Sequence, residues 1–434
     1  MMDFRGRRVT VAGLGRFGGG ITVTRWLVEQ GAAVLVTDQA APEALAEAVN
    51  QLHGLPIELR LGEHREADFT TADLVVASPA VPPASRFLQA ARAAGVPVTT
   101  EIRLFIERCP APILGVTGTK GKSTTTALLG RMLSKRFVTH VGGNIGRSLL
   151  FELPNIRPEH RVVLELSSFM LEYLAQTNWS PHVAVVTMIC PDHLDRHKTM
   201  TAYKDAKKNL VRHQMAQDFA ILNESCEAHA EFAAATQAKV ILFGVRDRKP
   251  FSLLIPGAHN QLNAQAAFAA AATQGIDWED AQAAVGDFPG LPHRLQLVHE
   301  ENGVRYFNDS IATIPEAAVA ALSAFAPHSV IQIVGGYDKK LSLSPMISAL
   351  VERAKAAICI GATGSAIAAA MGEAPKIGSA SAYVAGDLAS AVKLAKSIAR
   401  SGDVVLLSTG CASYDQFRNF EHRGEEFARL AREG

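Results

Sequence analysis

The sequence predicts an α/β protein built from doubly wound parallel sheets. Short apolar runs rich in β-branched residues alternate with longer helical patterns, and each run ends at a glycine, a proline or a polar turn. Runs of this length without polar alternation are typical of strands buried on both faces of a parallel sheet. The clearest are "VTVAGLG", "DLVVASPA", "PILGVTG", "RVVLELS", "VAVVTMI", "SVIQIVGG", "AAICIGA" and "DVVLLSTG".

Two breaks in this alternation predict three domains. In "TTEIRLFIERCPAPILGVTG" a helical pattern leads into a new strand, and "GDFPGLPHRLQLV" is a Pro/Gly-rich turn between an Ala-rich helix and a fresh strand pattern. We therefore expect a Rossmann-like domain over 1–101, a central domain with a parallel sheet over 102–292, and a second Rossmann-like domain over 293–434. At roughly 150 residues per domain, this division suits the length of the chain.

The composition excludes several classes of protein. Hydrophobic residues make up 48% of the chain and charged residues 20%, which indicates a packed globular protein rather than a disordered one. The formal charge is +1, from 43 basic and 42 acidic residues, so neither nucleic acid nor an anionic membrane surface is expected as the main partner. No stretch reaches the roughly 18 uninterrupted apolar residues of a membrane span.

The cysteines and the N-terminus predict a cytoplasmic location. The five cysteines are widely spaced and form no CxxC or zinc pattern, which favours free thiols in a reducing compartment. The N-terminal "MMDFRGRRVTVAGLG" passes directly from charged residues into a strand pattern, without the features of a secretory signal.

The first glycine-rich loop is a weak signal for a diphosphate ligand. "VTVAGLGRFGGG" places Gly13, Gly15 and Gly18 in a G-x-G-x-x-G pattern between a strand and a helix, and Asp38 follows the next strand. Such a loop offers backbone amides and a helix N-terminus to a diphosphate. The pattern leaves NAD(P), another diphosphate ligand and a purely structural turn open.

The second glycine-rich loop is a strong signal for nucleotide phosphate. In "GVTGTKGKST", the amides around Gly118 and Gly121 can surround phosphate oxygens and Lys122 can neutralise them. The Ser123 hydroxyl then stands at the start of a helix, where it can bind Mg²⁺. Val116 occupies the place of the first glycine in the strict Walker pattern, which leaves a tighter T-G-T-x-G-K-S version. The central domain is therefore predicted to be of the P-loop ATPase type.

Acidic residues and a histidine at later strand ends are candidates for metal or substrate binding. Glu165 closes the run in "RVVLELSSF", so its carboxylate should emerge at the carboxyl edge of the sheet, where ligands bind in such folds. "CPDHLDRH" follows another buried run and carries Asp192, His193 and Asp195 within four residues. A histidine flanked by carboxylates at this position favours a metal or substrate role over a structural one.

Taken together in chain order, these motifs resemble the Mur ligases of peptidoglycan synthesis, and among them most closely the members that add glutamate. The resemblance covers essentially the full length. The "TGTKGKST" loop by itself indicates only a wider superfamily that includes folylpolyglutamate synthetases. The matching segments are "TGTKGKSTTT", "GGNIG", "LELSSF", "DHLDRH", "YKDAKKN", "AHNQLNAQAA", "GLPHR", "NDSIAT", "GGYDKK" and "CASYDQFRNFEHRGEEF".

The resemblance implies an ATP-dependent amide ligase. In this family ATP phosphorylates the terminal carboxylate of UDP-N-acetylmuramoyl-L-alanine to an acyl phosphate, and the amine of glutamate then attacks it and releases phosphate. The loop charges and Mg²⁺ suit this chemistry, because charge on the transferred phosphoryl group is stabilised without a covalent protein intermediate. The expected partners are UDP-N-acetylmuramoyl-L-alanine, glutamate, ATP and two Mg²⁺ ions. We further expect a monomer whose domains close on the substrates.

The resemblance also assigns site residues by position. Lys122, His193 and Lys207 are implied to be catalytic. The Y-x-x-A-K register implies that Lys207 becomes N-carboxylated, with the neighbouring Lys208 as a rival. The implied metal ligands are Ser123, Glu165, His193 and Lys207. The implied ATP site comprises Gly118, Thr119, Lys120, Gly121, Lys122, Ser123, Thr124, Asn260, Asn263, Arg294 and Asp309. The implied UDP-substrate site comprises Gly15, Arg16, Phe17, Asp38, Ser78, Asn144, Ser167 and His193. The implied glutamate site comprises Thr313, Lys339, Ser413 and Phe420.

Four positions depart from the family pattern. Ile311 replaces the usual lysine of "NDSIAT", Met170 replaces a glutamine, Met188 replaces an asparagine, and Gln39-Ala40 lacks the arginine often found near uracil. The departures leave two explanations open: a divergent branch with altered acceptor geometry, for example one that adds L-glutamate rather than D-glutamate, or a paralogue with weakened catalysis. Because the implied catalytic residues are present, we favour a working ligase. The rival classes are an NAD-dependent oxidoreductase, a folate polyglutamylase and a non-catalytic UDP-sugar sensor.

Overall fold

The chain forms two compact units. The computed structural model describes residues 2–15, 19–146, 148–246, 248–373 and 380–433. The first unit comprises residues 1–249 and 262–281, and the second comprises residues 250–261 and 282–434. The strands of the described residues form three sheets, of which two lie in the first unit and one in the second.

The first sheet is parallel throughout and has the strand order β3-β2-β1-β4-β5. Its strands are β1 (Arg8–Ala12), β2 (Ala33–Asp38), β3 (Ile57–Leu61), β4 (Leu74–Ala77) and β5 (Val98–Thr99). Its helices are α1 (Gly19–Glu29), α2 (Ala46–Gln51), α3 (Glu66–Thr70), α4 (Arg86–Ala93) and α5 (Glu101–Ile106). The strand order reverses between β1 and β4, and such a reversal opens a ligand-binding crevice at the carboxyl ends of these strands.

The second sheet is also parallel and has the strand order β11-β10-β9-β6-β8-β7. Its strands are β6 (Ile113–Thr117), β7 (Thr139–Gly143), β8 (Arg161–Glu165), β9 (Val183–Val186), β10 (Phe219–Asn223) and β11 (Lys239–Phe243). The helices that follow are α6 (Lys122–Leu133), α7 (Ser168–Leu174), α8 (Leu194–His197), α9 (Met200–Lys208), α10 (His229–Ala233), α11 (Ala258–Ala272) and α12 (Trp278–Val285).

The third sheet is mixed, with the strand order β12-β13-β17-β14-β15-β16. Its strands are β12 (Gln296–Glu301), β13 (Val304–Asn308), β14 (Val330–Gly335), β15 (Ala356–Ile360), β16 (Ser381–Gly386) and β17 (Val404–Leu407). Its helices are α13 (Pro315–Leu322), α14 (Ser344–Arg353), α15 (Gly364–Glu373), α16 (Leu388–Ile398) and α17 (Phe420–Arg432). The edge strand β12 runs antiparallel to β13, whereas the other pairs are parallel. The predicted α/β class is confirmed, with this antiparallel edge as an addition.

Burial explains why these segments form strands. Every residue of β6, β9, β14, β15 and β17 is buried, as expected for strands covered on both faces by helices. Several helices begin where a side-chain oxygen accepts a backbone N–H of the first turn. These capping residues are Thr100, Ser167, Thr199, Asp387 and Asn419. Within the described residues, no helix is both long and apolar enough to cross a membrane.

Candidate active site

Three neighbouring strands of the second sheet end at one edge and bring the predicted catalytic groups together. β6 lies between β8 and β9, and all three run parallel. Residues 118–121, which we call the phosphate loop, follow β6. Glu165 ends β8, and Thr187 follows β9 directly. Residues from distant parts of the sequence therefore meet because parallel strands share a carboxyl edge.

The backbone of the phosphate loop requires glycine at two positions. Gly118 has φ 150° and Gly121 has φ 85°, both in the region that favours glycine. A Cβ at Gly118 would collide with the Thr187 hydroxyl, and one at Gly121 would collide with the Asn263 side chain. Lys122 begins α6 immediately afterwards, with Gly121 as its N-cap. The loop therefore packs closely against Thr187 and Asn263. It leads directly into the amino end of α6, where backbone N–H groups can bind an anionic ligand.

Thr119 fixes the loop to the segment after β9. Its N–H donates to the Met188 carbonyl at 2.5 Å, and the Cys190 N–H donates to its Oγ1 at 3.0 Å. The same Oγ1 lies 3.0 Å from the Cys190 carbonyl and 2.9 Å from the Tyr203 hydroxyl. Thr187 adds a bond from its Oγ1 to the Lys120 carbonyl at 2.6 Å. The loop is thus held in place before any ligand binds, which reduces the entropy lost on binding.

Lys207 lies buried beneath this loop. Its side chain is 1% exposed, and its Nζ donates to the Gly118 carbonyl at 2.8 Å and lies 4.8 Å from the centre of the Tyr203 ring. Burial, followed by the nearby charge of Lys122, lowers the pKa of Lys207 to about 7. Lys208 points elsewhere, because its Nζ lies 3.1 Å from a Glu231 carboxylate oxygen. The structure therefore places only Lys207 of these two lysines at the phosphate loop.

Glu165 has a carboxylate oxygen that suits a metal ion. The residue is 1% exposed, and its Oε1 accepts a bond from the Asn144 side-chain amide at 2.8 Å. Its Oε2 is buried and has no hydrogen-bond partner among the described residues. A buried, unpaired carboxylate oxygen is rare because it is costly, and Mg²⁺ prefers oxygen ligands of this kind. The donor chemistry at the strand ends therefore fits a divalent cation.

His193 stands at the entrance to α8 with an exposed side chain. It has φ 52°, in the left-handed region, and its ring lies 5.0 Å from that of Phe169 and 6.5 Å from that of Tyr203. Ser167 caps α7 by accepting the Met170 N–H at 3.2 Å. Within the described parts of the chain, no three or more His, Cys, Asp or Glu side chains surround a common metal position. The expected ligand set differs from such a cluster, since it combines one glutamate and one histidine with a serine and a lysine.

The first sheet presents a second glycine-lined edge. Gly15 N–H donates to Asp38 Oδ2 at 3.2 Å, and Ala40 N–H donates to Asp38 Oδ1 at 2.8 Å. Gly13 has φ 89°, and a Cβ there would lie 2.9 Å from the Ser78 Cβ. Gly15, Asp38 and Ser78 therefore follow or end β1, β2 and β4 at the carboxyl edge of the sheet, beside the point where the strand order reverses. The predicted residues Arg16 and Phe17, together with Gly18, lie outside the described residues.

In the second unit, Asp309 follows β13 and is 6% exposed. Its carboxylate accepts bonds from the Ser408 hydroxyl at 2.7 Å and the Leu295 N–H at 3.1 Å. Burial raises the pKa of Asp309 to about 7, although these two hydrogen bonds and the nearby charge of Arg294 oppose the rise. Asp309 is thus a carboxyl group that changes its charge near neutral pH.

The residues predicted to hold glutamate gather at the carboxyl edge of the third sheet. Lys339 Nζ donates to the Thr313 carbonyl at 3.2 Å and lies 3.3 Å from the Thr313 hydroxyl. The Tyr337 N–H donates to the Ala412 carbonyl at 2.9 Å, which aligns the Lys339 loop with the loop of the buried Ser413. Phe420 begins α17 and accepts a backbone bond from the Ser310 hydroxyl at 2.8 Å.

Comparison with known proteins gives the family. Residues 7–100 match the model of the Mur ligase MurD-like N-terminal domain, residues 116–250 match the Mur ligase middle domain, and residues 293–411 match the Mur ligase glutamate ligase domain. The chain belongs to the Mur ligase family. The predicted resemblance is therefore confirmed, and the predicted ligase class with it.

Curated relatives match this Mur ligase over nearly its whole length. A UDP-N-acetylmuramoylalanine–D-glutamate ligase from Roseiflexus sp. (strain RS-1) is 44% identical over 99% of both chains. One of the same name from Geobacter metallireducens is 39% identical over 98% of this chain and 97% of its own. The crystal structure of UDP-N-acetylmuramate–alanine ligase MurC from Thermotoga maritima is 20% identical, covers 98% of both chains and has a TM-score of 0.61, which supports the fold alone.

The departures from the Mur ligase pattern fall into different environments. Met188 contacts the phosphate loop through its backbone, as the acceptor for Thr119 and the bridge partner of Lys120, so these two contacts do not depend on which side chain stands there. Met170 is 9% exposed and belongs to the hydrophobic core of the first unit. Ile311 is half-buried, and its N–H donates to the His293 carbonyl at 3.1 Å. Nothing in the described part of the chain explains this change from the family pattern.

The remaining predicted nucleotide residues are divided between the two units of this Mur ligase. Asn263 belongs to the first unit, where its Oδ1 lies 3.5 Å from the Thr125 hydroxyl. Asn260 belongs to the second, where its side chain donates to the Pro256 carbonyl at 2.7 Å. Arg294 is also in the second unit and is exposed.

Two residues at the site escaped the sequence interpretation. Thr187 supports the phosphate loop by donating to the Lys120 carbonyl, and the hydroxyl of Tyr203 contacts Thr119. Thr187 follows directly after the apolar run of β9, so the strand-end argument applied to Glu165 could have found it. Tyr203 opens the Y-x-x-A-K register that pointed to Lys207.

Proposed function

We propose that the protein is an ATP-dependent ligase that joins D-glutamate to UDP-N-acetylmuramoyl-L-alanine in peptidoglycan precursor synthesis. The main observation is the convergence of the phosphate loop, the unpaired Glu165 oxygen and the buried Lys207 at one sheet edge. Full-length similarity to relatives named as D-glutamate ligases supports this substrate, and the match of residues 7–100 to a MurD-like N-terminal domain counts against the oxidoreductase and folate alternatives.

The phosphate loop supplies the electrostatic part of the reaction. The substrate carboxylate attacks the γ-phosphorus of ATP, which forms the acyl phosphate and releases ADP. The amine of glutamate then attacks the acyl carbon, an amide bond forms, and inorganic phosphate leaves with the release of one proton. Lys122, the loop amides and the amino end of α6 stabilise negative charge on the transferred group in both steps. The loop is held by Thr119 and Thr187, so these donors are in place beforehand.

Magnesium is proposed at two positions near the strand ends. Ser123, Glu165, His193 and carboxylated Lys207 would hold the ions, which supply charge neutralisation to the phosphates when bound. The unpaired Oε2 of Glu165 supports this set. A lysine whose pKa is about 7 has a substantial neutral fraction at neutral pH. Its amine can form an N–C bond with CO₂ and release one proton, which turns a cation into an oxygen ligand.

The crevice of the first sheet is proposed to hold the UDP part of the substrate. Gly15, Asp38 and Ser78 border it, and Asn144 and Ser167 are proposed to contact the rest of the sugar nucleotide. In the second unit, Lys339 is proposed to bind the side-chain carboxylate of glutamate beside Thr313 and Ser413, because a carboxylate needs a cation there. The adenine nucleotide is proposed to contact Asn260, Asn263, Arg294 and Asp309.

Each of the three predicted domains is assigned one of the three substrates. We propose residues 1–101 as the UDP-sugar domain, 102–292 as the ATP domain and 293–434 as the amino-acid domain. A monomer in the cytoplasm is proposed as the working form. All five cysteines are free, which supports a reducing compartment.

The decisive measurement is phosphate release from ATP with Mg²⁺ and UDP-N-acetylmuramoyl-L-alanine, with D-glutamate, L-glutamate or no amino acid added. Release that depends on D-glutamate supports the proposal. Release with L-glutamate alone overturns the substrate assignment and makes Ile311 a candidate specificity residue. If folded protein releases phosphate with neither, the ligase function is wrong, and binding of the UDP substrate without turnover would favour the sensor alternative.

A further inference from the structure

A backbone loop of the first sheet connects the proposed UDP site to the phosphate-transfer site within the first unit. Residues 78–81 follow β4 directly and form one wall of the crevice beside β1. A Cβ at Gly13 would lie 2.9 Å from the Ser78 Cβ and 3.3 Å from the Val81 Cγ2, so the loop packs tightly against the glycine-rich turn. A shift of this wall would therefore change the shape of the crevice.

Three consecutive carbonyls of this loop accept hydrogen bonds from two side chains of the second sheet's helices. Arg196 Nη2 lies 3.4 Å from the Pro79 carbonyl, and Arg196 Nη1 donates to the Ala80 carbonyl at 2.9 Å. The Tyr173 hydroxyl donates to the Val81 carbonyl at 2.6 Å. Burial raises the pKa of Tyr173 to about 12, so this donor keeps its proton throughout the physiological range. We call Arg196 and Tyr173 the carbonyl clamp.

Arg196 also contacts the turn at His193. The backbone N–H of Arg196 donates to the His193 carbonyl at 3.1 Å, and the Arg196 guanidinium lies 4.6 Å from the centre of the Phe169 ring. The Phe169 ring also lies 5.0 Å from the His193 ring. Glu172 fixes the guanidinium through an ion pair of 2.7 Å, and the Arg196 side chain is only 12% exposed. One arginine thus contacts both the UDP-site wall and the residues that orient His193.

Arginine suits this position because its planar guanidinium presents several donors in a fixed arrangement. A lysine can keep the ion pair with Glu172, but its single ammonium cannot span two carbonyls in the same geometry. The two carbonyls lie on neighbouring residues, Pro79 and Ala80, so the guanidinium fixes the orientation of the loop as well as its distance.

We propose that Arg196, assisted by Tyr173, is a positioning residue. It holds residues 78–81, which form a wall of the proposed UDP site, at a fixed distance and orientation from the turn at His193. The inference rests on the proposed function, because it concerns the alignment of the UDP substrate with the site of phosphoryl transfer. Small displacements of a reacting carboxylate lower the reaction rate steeply, and a misplacement of about 1 Å can reduce it roughly 100-fold. ATP is proposed to contact the phosphate loop. Among the described residues, the side-chain hydrogen bonds of the clamp go to Pro79, Ala80, Val81 and Glu172 and not to that loop, so ATP binding should be spared.

The test compares Arg196→Gln, Arg196→Lys and Tyr173→Phe with the wild type in the full chain. For Arg196→Gln we expect KM for UDP-N-acetylmuramoyl-L-alanine to rise and kcat to fall by roughly tenfold or more, while KM for ATP stays within about twofold. Arg196→Lys should recover part of the kcat, and Tyr173→Phe should mainly raise KM for the UDP substrate. The matched control is Arg136→Gln, which removes ion pairs to Asp277 and Asp280 elsewhere in the same unit.

The outcomes separate the clamp from a purely structural role. If the variants lower the melting temperature but leave the ratio of KM for UDP-N-acetylmuramoyl-L-alanine to KM for ATP unchanged, the proposed positioning role of Arg196 is wrong. An Arg136→Gln variant that reproduces the change in this ratio would also overturn it. A wild-type protein that is folded but inactive with these substrates refutes the proposed function instead. Isothermal titration calorimetry with UDP-N-acetylmuramoyl-L-alanine then still tests whether Arg196 shapes the UDP site, because Arg196→Gln should weaken binding roughly tenfold.

Discussion

Lys207 and Lys208 are adjacent in sequence, yet their environments differ completely. Lys207 is enclosed beneath the phosphate loop, where it contacts a carbonyl and an aromatic ring. Lys208 retains part of its exposure and pairs with Glu231 on the neighbouring helix α10. The Y-x-x-A-K register points to Lys207 as the candidate for carboxylation, with the adjacent Lys208 as a rival. Burial by the loop separates them.

The first prediction therefore concerns these two lysines. Lys207→Met should lower kcat for phosphate release by roughly 100-fold or more, because a group at the phosphoryl-transfer site is removed. Lys208→Met should leave kcat within about threefold, since it loses partly exposed ion pairs to Glu231 and Asp205. Steady-state phosphate release measures both. The assignment fails if the Lys208 variant loses activity while the Lys207 variant keeps it.

The second prediction concerns Asp309 and pH. In the unfolded chain its carboxyl should lose its proton near the ordinary value of 3.8, whereas in the folded chain it does so at about 7. Between these values the unfolded state binds fewer protons, so folding stability falls as pH rises through this window and changes no further above it. Asp309→Asn should remove this fall, which amounts to about 4 kcal/mol at most.

Urea denaturation at pH 5 and pH 8 measures this effect. The midpoint of Asp309→Asn should change less between the two pH values than that of the wild type. The control is Asp338→Asn, because its carboxylate is partly exposed and the pKa of Asp338 is lowered by its hydrogen bonds to Lys340, which keeps its titration below this window. Equal pH dependence in wild type and Asp309→Asn would contradict the assignment.

At the scale of the elements, the phosphate loop depends on the close approach of β6 and β9. Gly118→Ala should destabilise the first unit and abolish ATP binding, because its Cβ would meet the Thr187 hydroxyl and its φ of 150° disfavours any side chain. Gly62→Ala is the matched control: it also has a positive φ, of 89°, but a Cβ there meets nothing within 4 Å. We expect Gly62→Ala to cost about 1 kcal/mol and to leave ATP affinity unchanged. Calorimetry with ATP and thermal unfolding check both.

Helix α17 is tied to its sheet by a buried arginine. Arg423 is 1% exposed, and its guanidinium donates to the Ser310 carbonyl at 2.7 Å, the Ser310 hydroxyl at 2.9 Å and the Cys411 carbonyl at 3.1 Å. Burial lowers the pKa of Arg423 to about 10. These bonds hold the segment that carries Asp309 against the start of α17.

The fourth prediction uses two arginines of this helix. Arg423→Met should destabilise the protein by about 2–4 kcal/mol, because the buried carbonyl and hydroxyl of Ser310 lose their arginine donor and the Cys411 carbonyl keeps, among the described residues, only the Thr409 hydroxyl. Arg429→Gln should change stability by less than about 1 kcal/mol, since the ion pairs of this exposed side chain with Glu426 and Glu433 lie at the surface. Urea denaturation of both variants gives the comparison. If both variants are equally stable, the interpretation of Arg423 as a structural tie is wrong.

At the scale of the whole molecule, the proposed ligands should stabilise the fold. A non-hydrolysable ATP analogue with Mg²⁺ at about 100 times its dissociation constant should add about 2.7 kcal/mol. EDTA should abolish both this stabilisation and phosphate release, and Lys122→Ala should weaken the stabilisation by removing a phosphate-binding cation. Differential scanning calorimetry with and without EDTA is the measurement. Phosphate release that persists in excess EDTA would contradict the role of magnesium.

Much of the fold and of the phosphate site could be predicted from the sequence because the signals are local. Short apolar runs indicate buried strands such as β6, β8 and β14. The spacing of its glycines likewise indicates the phosphate loop. The antiparallel pairing of β12 with β13 gave no such signal, since strand direction depends on the partner rather than on the strand's own residues.

By itself, the sequence determined the α/β class, the family and the places of the two glycine-rich loops, since these follow from periodicity, glycine positions and motif order. Only the tertiary structure decided which side chains are buried and paired. Lys207 reaches Gly118 from 89 residues away, and Arg196 reaches Ala80 from 116 residues away. The unpaired Glu165 oxygen and the raised pKa of Asp309 likewise depend on neighbours supplied by other strands. Desolvation and hydrogen bonding act between groups close in space, and the linear order of residues does not fix that proximity.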